Sequence, residues 1–229
     1  MIATPLQTRK SSSQIRPLAN GDRLSLAEFK HLYAIHTKIR KAELIEGVVY
    51  VASPVYFPHA QAQGTTLTWL GVYASQTPKI IFTGEQSVEL DADNEVQPDA
   101  LMWMDGDIDL TDAGLVVGAP NLVIEVAAST VSYDLSIKKN VYRRNGVQEY
   151  LVFAAYEQET YWFSLQNGTY QTLKPTKNNI FKSLIFPGLW LNPTAFWNNN
   201  TASLLATLNQ GLDSSEHTAF VQAQKSNAD

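Results

Sequence analysis

Hydrophobic positions along the chain recur at two different spacings. From Ser25 to about Thr37, the residues Leu26, Phe29, Leu32/Tyr33 and His36 repeat at helical spacing behind Ser25-x-x-Glu28, a capping-box pattern. This predicts a surface helix with one buried face. Ala62, Thr66/Leu67, Leu70 and Tyr73 predict a second helix from His59 to about Ala74, which Gly64 and Gly71 weaken. A third helix is expected over Tyr133 to Arg144, stopped by Asn145-Gly146.

Between the helices the pattern changes to that of strands. Ala42 to Ala52 reads as a strand or hairpin around Gly47 and ends at Ser53-Pro54. Three strands follow at Lys79 to Thr83, Gln86 to Leu90 and Val96 to Met104, with Asp91 to Glu95 as a polar turn and Asp105 to Gly114 as an acidic loop. Asn121 to Ala127 is a short apolar strand holding one acid, Glu125, and Val147 to Ala154 is another strand. Tyr161 to Leu173 carries Asn167-Gly168 between two Tyr/Phe/Thr-rich runs, which predicts a hairpin with a type I′ turn. The order of elements predicts a mixed sheet flanked by helices, an α/β or α+β fold with an additional C-terminal β-hairpin, rather than a sandwich or bundle.

With 229 residues and 45% of them hydrophobic, one core is feasible. The expected organisation is a flexible tail over 1–20, one domain over 21–197, and a C-terminal helix and polar tail over 198–229 that frays from Gly211. No run of about 18 apolar residues predicts a membrane span. The absence of cysteine excludes disulfides, thiolate metal sites and a cysteine nucleophile, and fits a reducing cytoplasm. The net charge of -5 is uneven: Ala42 to Ile137 holds 14 acids against one base, Lys79, and the rest of the chain holds 16 bases against 8 acids. The acidic middle is either solvated surface or a divalent-cation site, and the basic flanks are either plain surface or phosphate-binding.

The chemistry centres on Asp99, directly after Pro98, and Glu125, embedded in Leu122-Val123-Ile124-Glu125-Val126. A carboxylate inside an apolar strand must be salt-bridged, protonated, turned to water at an edge, or bound to a cation. Asp99 alone also suits an ordinary Pro-Asp turn. Asp134 and Lys138 stand four residues apart on one helix face, as an ion pair or with Lys138 projecting back toward the carboxylates. Two acids and a lysine suit phosphodiester hydrolysis. The acids hold a hard cation that neutralises phosphate and activates water, and the lysine orients that water or stabilises charge on phosphorus. Lys138, Lys139, Arg143 and Arg144 either meet a nucleic-acid backbone or form a solvated helix face. His59, after Pro58, caps a helix or serves a pocket, and Glu85, after Gly84, is a turn residue or serves the same pocket.

Several strings carry a family resemblance: Gln97-Pro98-Asp99, Ala119-Pro120-Asn121-Leu122-Val123-Ile124-Glu125-Val126, Asp134 to Lys138, and Tyr142-Arg143-Arg144-Asn145-Gly146-Val147-Gln148-Glu149-Tyr150. With Glu43-Leu44-Ile45-Glu46-Gly47 and Phe186-Pro187-Gly188-Leu189, they make Ser25 to Leu191 resemble the bacterial Uma family, abundant in cyanobacteria and part of the PD-(D/E)XK nuclease superfamily. The resemblance implies a restriction-endonuclease-like fold, DNA as substrate, Mg²⁺ or Mn²⁺ as cofactor, and a homodimer. It further implies Asp99 and Glu125 as metal ligands, Glu43 as an assisting acid, and His59, Glu85 and Asp134 as supporting positions. Ala127 departs from the superfamily pattern, which expects lysine two residues beyond Glu125. Lys138 on the next helix is the matching lysine, and Lys139, Arg143 and Arg144 are the expected DNA contacts. The rival expectation is a module that keeps the fold and binds or regulates without cutting.

Overall fold

A computed structural model of the chain describes residues 16–52 and 54–226. Its elements in chain order begin with α1 (Leu26–Ile35), β1 (Ala42–Ile45), β2 (Val48–Val51), α2 (Phe57–Gln76), β3 (Ile80–Thr83), β4 (Val88–Asp91), β5 (Asn94–Val96) and β6 (Ala100–Met104). Next come β7 (Asp109–Leu110), β8 (Val116–Val117), β9 (Leu122–Ala127), α3 (Val131–Tyr133), a π-helical turn (Asp134–Lys138), α4 (Lys139–Arg144) and β10 (Glu149–Ala154). The chain continues through β11 (Glu159–Gln166), β12 (Thr169–Thr172), β13 (Phe181–Lys182), β14 (Trp190–Leu191), α5 (Pro193–Trp197), α6 (Thr201–Leu212) and α7 (Ser215–Ser226).

Local chemistry accounts for several boundaries. The capping box at α1 is complete: Glu28 N donates to Ser25 Oγ at 3.3 Å, and Ser25 N donates to the Glu28 carboxylate at 2.9 Å. The β1–β2 and β11–β12 hairpins turn on paired left-handed residues, Glu46-Gly47 (φ 52° and 71°) and Asn167-Gly168 (φ 49° and 75°), as a two-residue type I′ connection requires.

The strands form two six-stranded mixed sheets, ordered β2-β1-β5-β4-β8-β7 and β12-β11-β10-β9-β6-β3, with β13 and β14 as a small separate pair. In the second sheet only β9 and β10 run parallel, and the helical segment from Val131 to Arg144 connects them. Every residue of these two strands is buried, as expected for central strands covered on both faces. Leu122, Ile124 and Val126 of β9 pack toward α2 and α6, among Trp69, Leu70, Leu204 and Leu208. Val123 and Ala127 face the opposite side, with Ile45, Val96, Tyr142 and Tyr150. Alternation along β9 therefore directs Glu125 into the space between the two sheets.

The mixed sheet flanked by helices is the expected class, with corrections to its parts. Val96 to Met104 is not one strand: Gln97-Pro98-Asp99 breaks it, so β5 joins the first sheet and β6 the second. The polar turn narrows to Ala92-Asp93, since Asp91 already pairs with Asn94. Asp109–Leu110 in the acidic loop pairs with β8. The C-terminal stretch does not fray at Gly211: α6 seats Leu204, Leu208 and Leu212 in the main core, and α7 buries His217. Residues 1–15 of the expected tail lie outside the described residues. The rest of it is tied down, with Leu18 buried and Asn20 Oδ1 accepting from Val51 N at 3.1 Å. Among the described residues, no helix is long and apolar enough to cross a membrane.

Candidate active site

Glu125 is 3% exposed, on the central strand β9. Its Oε1 accepts from Lys138 Nζ at 2.8 Å and from the Tyr142 hydroxyl at 2.7 Å. Asp99 lies where the chain passes from one sheet to the other, ahead of β6. Its Oδ2 accepts the Val126 amide at 2.7 Å, which ties it to β9 one residue beyond Glu125. Its Oδ1 faces Lys41 Nζ at 3.1 Å and His59 Nε2 at 3.4 Å. Glu43 enters from β1, with Oε1 accepting from Gln97 N at 2.8 Å and from Lys138 Nζ at 2.9 Å.

The π-helical turn sets the last two members. Its wider winding buries both Asp134 and Lys138, whose charged groups stand 4.0 Å apart. Thr130 Oγ1 donates to Asp134 Oδ2 at 2.7 Å. Glu43, Asp99, Glu125 and Asp134, with Lys41 and Lys138, border one cavity of about 420 Å³.

Burial pushes Glu125 up to about 8, against the pull of Lys138 and with added repulsion from Asp99, Glu43 and Asp134. Burial also works to raise Asp99, but His59, Lys41 and the Val126 amide outweigh it and hold the carboxyl below the usual range. Burial disfavours charge on Lys138, yet Glu125, Glu43 and Asp134 keep its ammonium well above the ordinary lysine value. Lys41 is shifted the same way, with Asp99, Glu43 and Glu125 overcoming desolvation.

Residues 26–194 match the family model Uma2, described as "Putative restriction endonuclease". The chain belongs to the Uma2 family. A solved structure of similar fold is "a putative nuclease belonging to DUF820 from Anabaena variabilis ATCC 29413", at 16% identity and a TM-score of 0.61, covering 76% of this chain and 98% of that one. No curated protein matches the chain.

The Uma2 segment contains all the residues named above, and Lys138, on the helical segment after β9, reaches Glu125 directly. His59 sits in the first turn of α2 but does not cap it. Tyr56 is the N-cap, and His59 Nε2 is buried beside Asp99 without a hydrogen-bond partner among the described residues. Glu85 serves both readings, with a left-handed φ of 53° and a place on the cavity wall.

Lys139, Arg143 and Arg144 are not brought to the Uma2 cavity. Lys139 Nζ lies 3.6 Å from the centre of the Phe163 ring, Arg143 donates to Gly168 O at 3.0 Å, and Arg144 donates to Glu46 at 2.6 Å. Two further residues join the site, Lys41 and Tyr142, the second of which the sequence suggests only as a core or interface aromatic. Lys41 precedes Glu43 by two positions and so shares its strand face, and Tyr142 follows Lys138 by four along the helix.

The donor set suits a hard divalent cation in kind. Among the described residues no three His, Asp or Glu side chains converge on one point. Mg²⁺ does not need that, because it is usually held by one or two carboxylates, with waters and substrate phosphate completing its shell. Asp99 and Glu125 supply such a pair on one cavity.

Proposed function

We propose that this Uma2 chain is an endonuclease that hydrolyses DNA phosphodiester bonds with Mg²⁺ or Mn²⁺ held by Asp99 and Glu125. One observation carries the reading: two buried carboxylates, one on β9 and one just ahead of its neighbour β6, open on the same cavity as Lys138. A bound cation would neutralise phosphate charge and lower the pKa of a water. Lys138 presents a fixed ammonium beside Glu125 for the charge that develops on phosphorus. Glu43 holds that ammonium from the opposite sheet and, through the Gln97 amide, steadies the loop carrying Asp99. His59 flanks Asp99 from α2, and Glu85 and Asp134 complete the acidic wall. Two strands of a duplex need two such sites, which a homodimer provides.

The test is nicking of supercoiled plasmid with Mg²⁺ or Mn²⁺ by the wild type, Asp99→Asn and Lys138→Ala, with circular dichroism to confirm folding. Cleavage should require the metal and fall by a factor of about a hundred or more in either variant. Metal-dependent cleavage that survives both substitutions removes the site assignment. The second reading, a nuclease fold that binds without cutting, is favoured by the pairing of Asp99 with Lys41 and of Glu125 with Lys138. Absence of cleavage with either metal, alongside measurable DNA binding, selects it.

A further inference from the structure

We infer that Lys41 is an exchangeable counter-ion: it holds Asp99 while no cation is bound, yields the carboxylate to the incoming divalent ion, and then faces the substrate phosphate. This rests on the metal-dependent reading above and assigns a role to a residue that reading does not use.

The two cavity lysines are held very differently. Lys138 is 6% exposed at its side chain and is enclosed by Glu125, Glu43 and Asp134. Lys41 is 21% exposed at its side chain and has one ion-pair partner among the described residues, Asp99. Removing Lys138 takes the cation from three carboxylates. Moving Lys41 leaves Asp99 Oδ1 facing only His59 Nε2 at 3.4 Å, while Oδ2 stays fixed by the Val126 amide.

Geometry also gives the ammonium somewhere to go. Lys41 sits immediately before β1 and borders the same cavity as Asp99, so rotation about its flexible stem keeps the charge inside the cavity. An ammonium and a divalent cation a few ångströms apart repel strongly at a half-buried site, so both cannot occupy Oδ1 together.

The experiment uses the full chain without DNA. Mn²⁺ binding, read from the loss of the free-ion paramagnetic resonance signal, is compared for wild type, Lys41→Met and Lys41→Arg. Lys41→Met should bind Mn²⁺ about tenfold more tightly, the order expected on removing a like charge from a partly screened site, and Lys41→Arg should stay near wild type. A second measurement keeps the wild-type protein: reductive methylation with ¹³C-formaldehyde should label Lys41 several times faster at saturating Mg²⁺, with Lys138 protected in both states.

Equal Mn²⁺ affinity in wild type and Lys41→Met, or unchanged Lys41 labelling with Mg²⁺ bound, overturns the inference and leaves the metal site standing. Absence of Mn²⁺ binding in all three proteins overturns the metal-dependent reading together with it.

Discussion

Lys138 shows how much one side chain can carry. It is the only cation among the described residues to contact Glu125, Glu43 and Asp134. Replacing it by Met keeps the volume but leaves those acids buried without a cation, each with one remaining donor from Tyr142, Gln97 or Thr130. Breaking such an arrangement from one side costs about 3–5 kcal/mol, whereas replacing a whole network by apolar groups is often neutral. Urea unfolding of Lys138→Met above about pH 8, where Glu125 is ionised, should show a loss of that order, and a change below about 1 kcal/mol would mean that the remaining donors and water satisfy the acids instead. Asp99 and Glu125 were legible in the sequence because a carboxylate in an apolar strand demands a partner. Lys41 was not, because a base at the front of a strand looks like any solvated lysine until the fold shows Asp99 Oδ1 at 3.1 Å.

Elements were legible where a local signal forces the backbone, as in the capping box of α1 and the Asn167-Gly168 turn. They were lost where apolar character runs across a boundary. Val96 and Ala100 to Trp103 are all buried, so hydrophobicity alone joins β5 to β6 over Gln97-Pro98-Asp99, and the sheet-to-sheet crossing that positions Asp99 disappears. The π-helical turn is equally hidden, since one wider turn barely disturbs a helical repeat. The glycines of α2 and α6 separate propensity from packing. A Cβ on Gly64 meets nothing within 4 Å, whereas one on Gly211 would lie 2.8 Å from Trp190 Cγ and against the Gly188 carbonyl. Gly64→Ala should therefore stabilise by about 0.5–1 kcal/mol through helix propensity. Gly211→Ala should destabilise by about 1–3 kcal/mol because α6 is forced off the loop before β14. Thermal melts of both variants check this, and a stabilised Gly211→Ala would show that α6 does not seat on that loop.

Over the whole molecule, the acids act on stability in opposite directions. Glu149, on β10, takes donors from Trp162 Nε1, Ser183 Oγ and the Leu184 and Ile185 amides, and so pins the chain between β13 and β14 to the second sheet. Burial still pushes it up to about 7 despite those donors, and Glu125 is pushed up to about 8, both from an ordinary value of 4.5. A raised carboxyl binds more protons folded than unfolded, so its contribution is complete below about 4.5 and is lost as pH rises through 7 and 8. Asp99 is lowered, so its contribution holds above its ordinary 3.8 and is lost in more acid solution. Stability without a divalent ion should therefore be higher at pH 5 than at pH 8 and fall again below about pH 4. Urea midpoints across that range, measured in chelator, test the profile. In Glu149→Gln the fall between pH 5 and 8 should shrink while the part due to Glu125 remains. A midpoint that rises from pH 5 to 8 would mean that the donors around Glu149 and Glu125 outweigh burial, and both acids would then be ionised throughout that range.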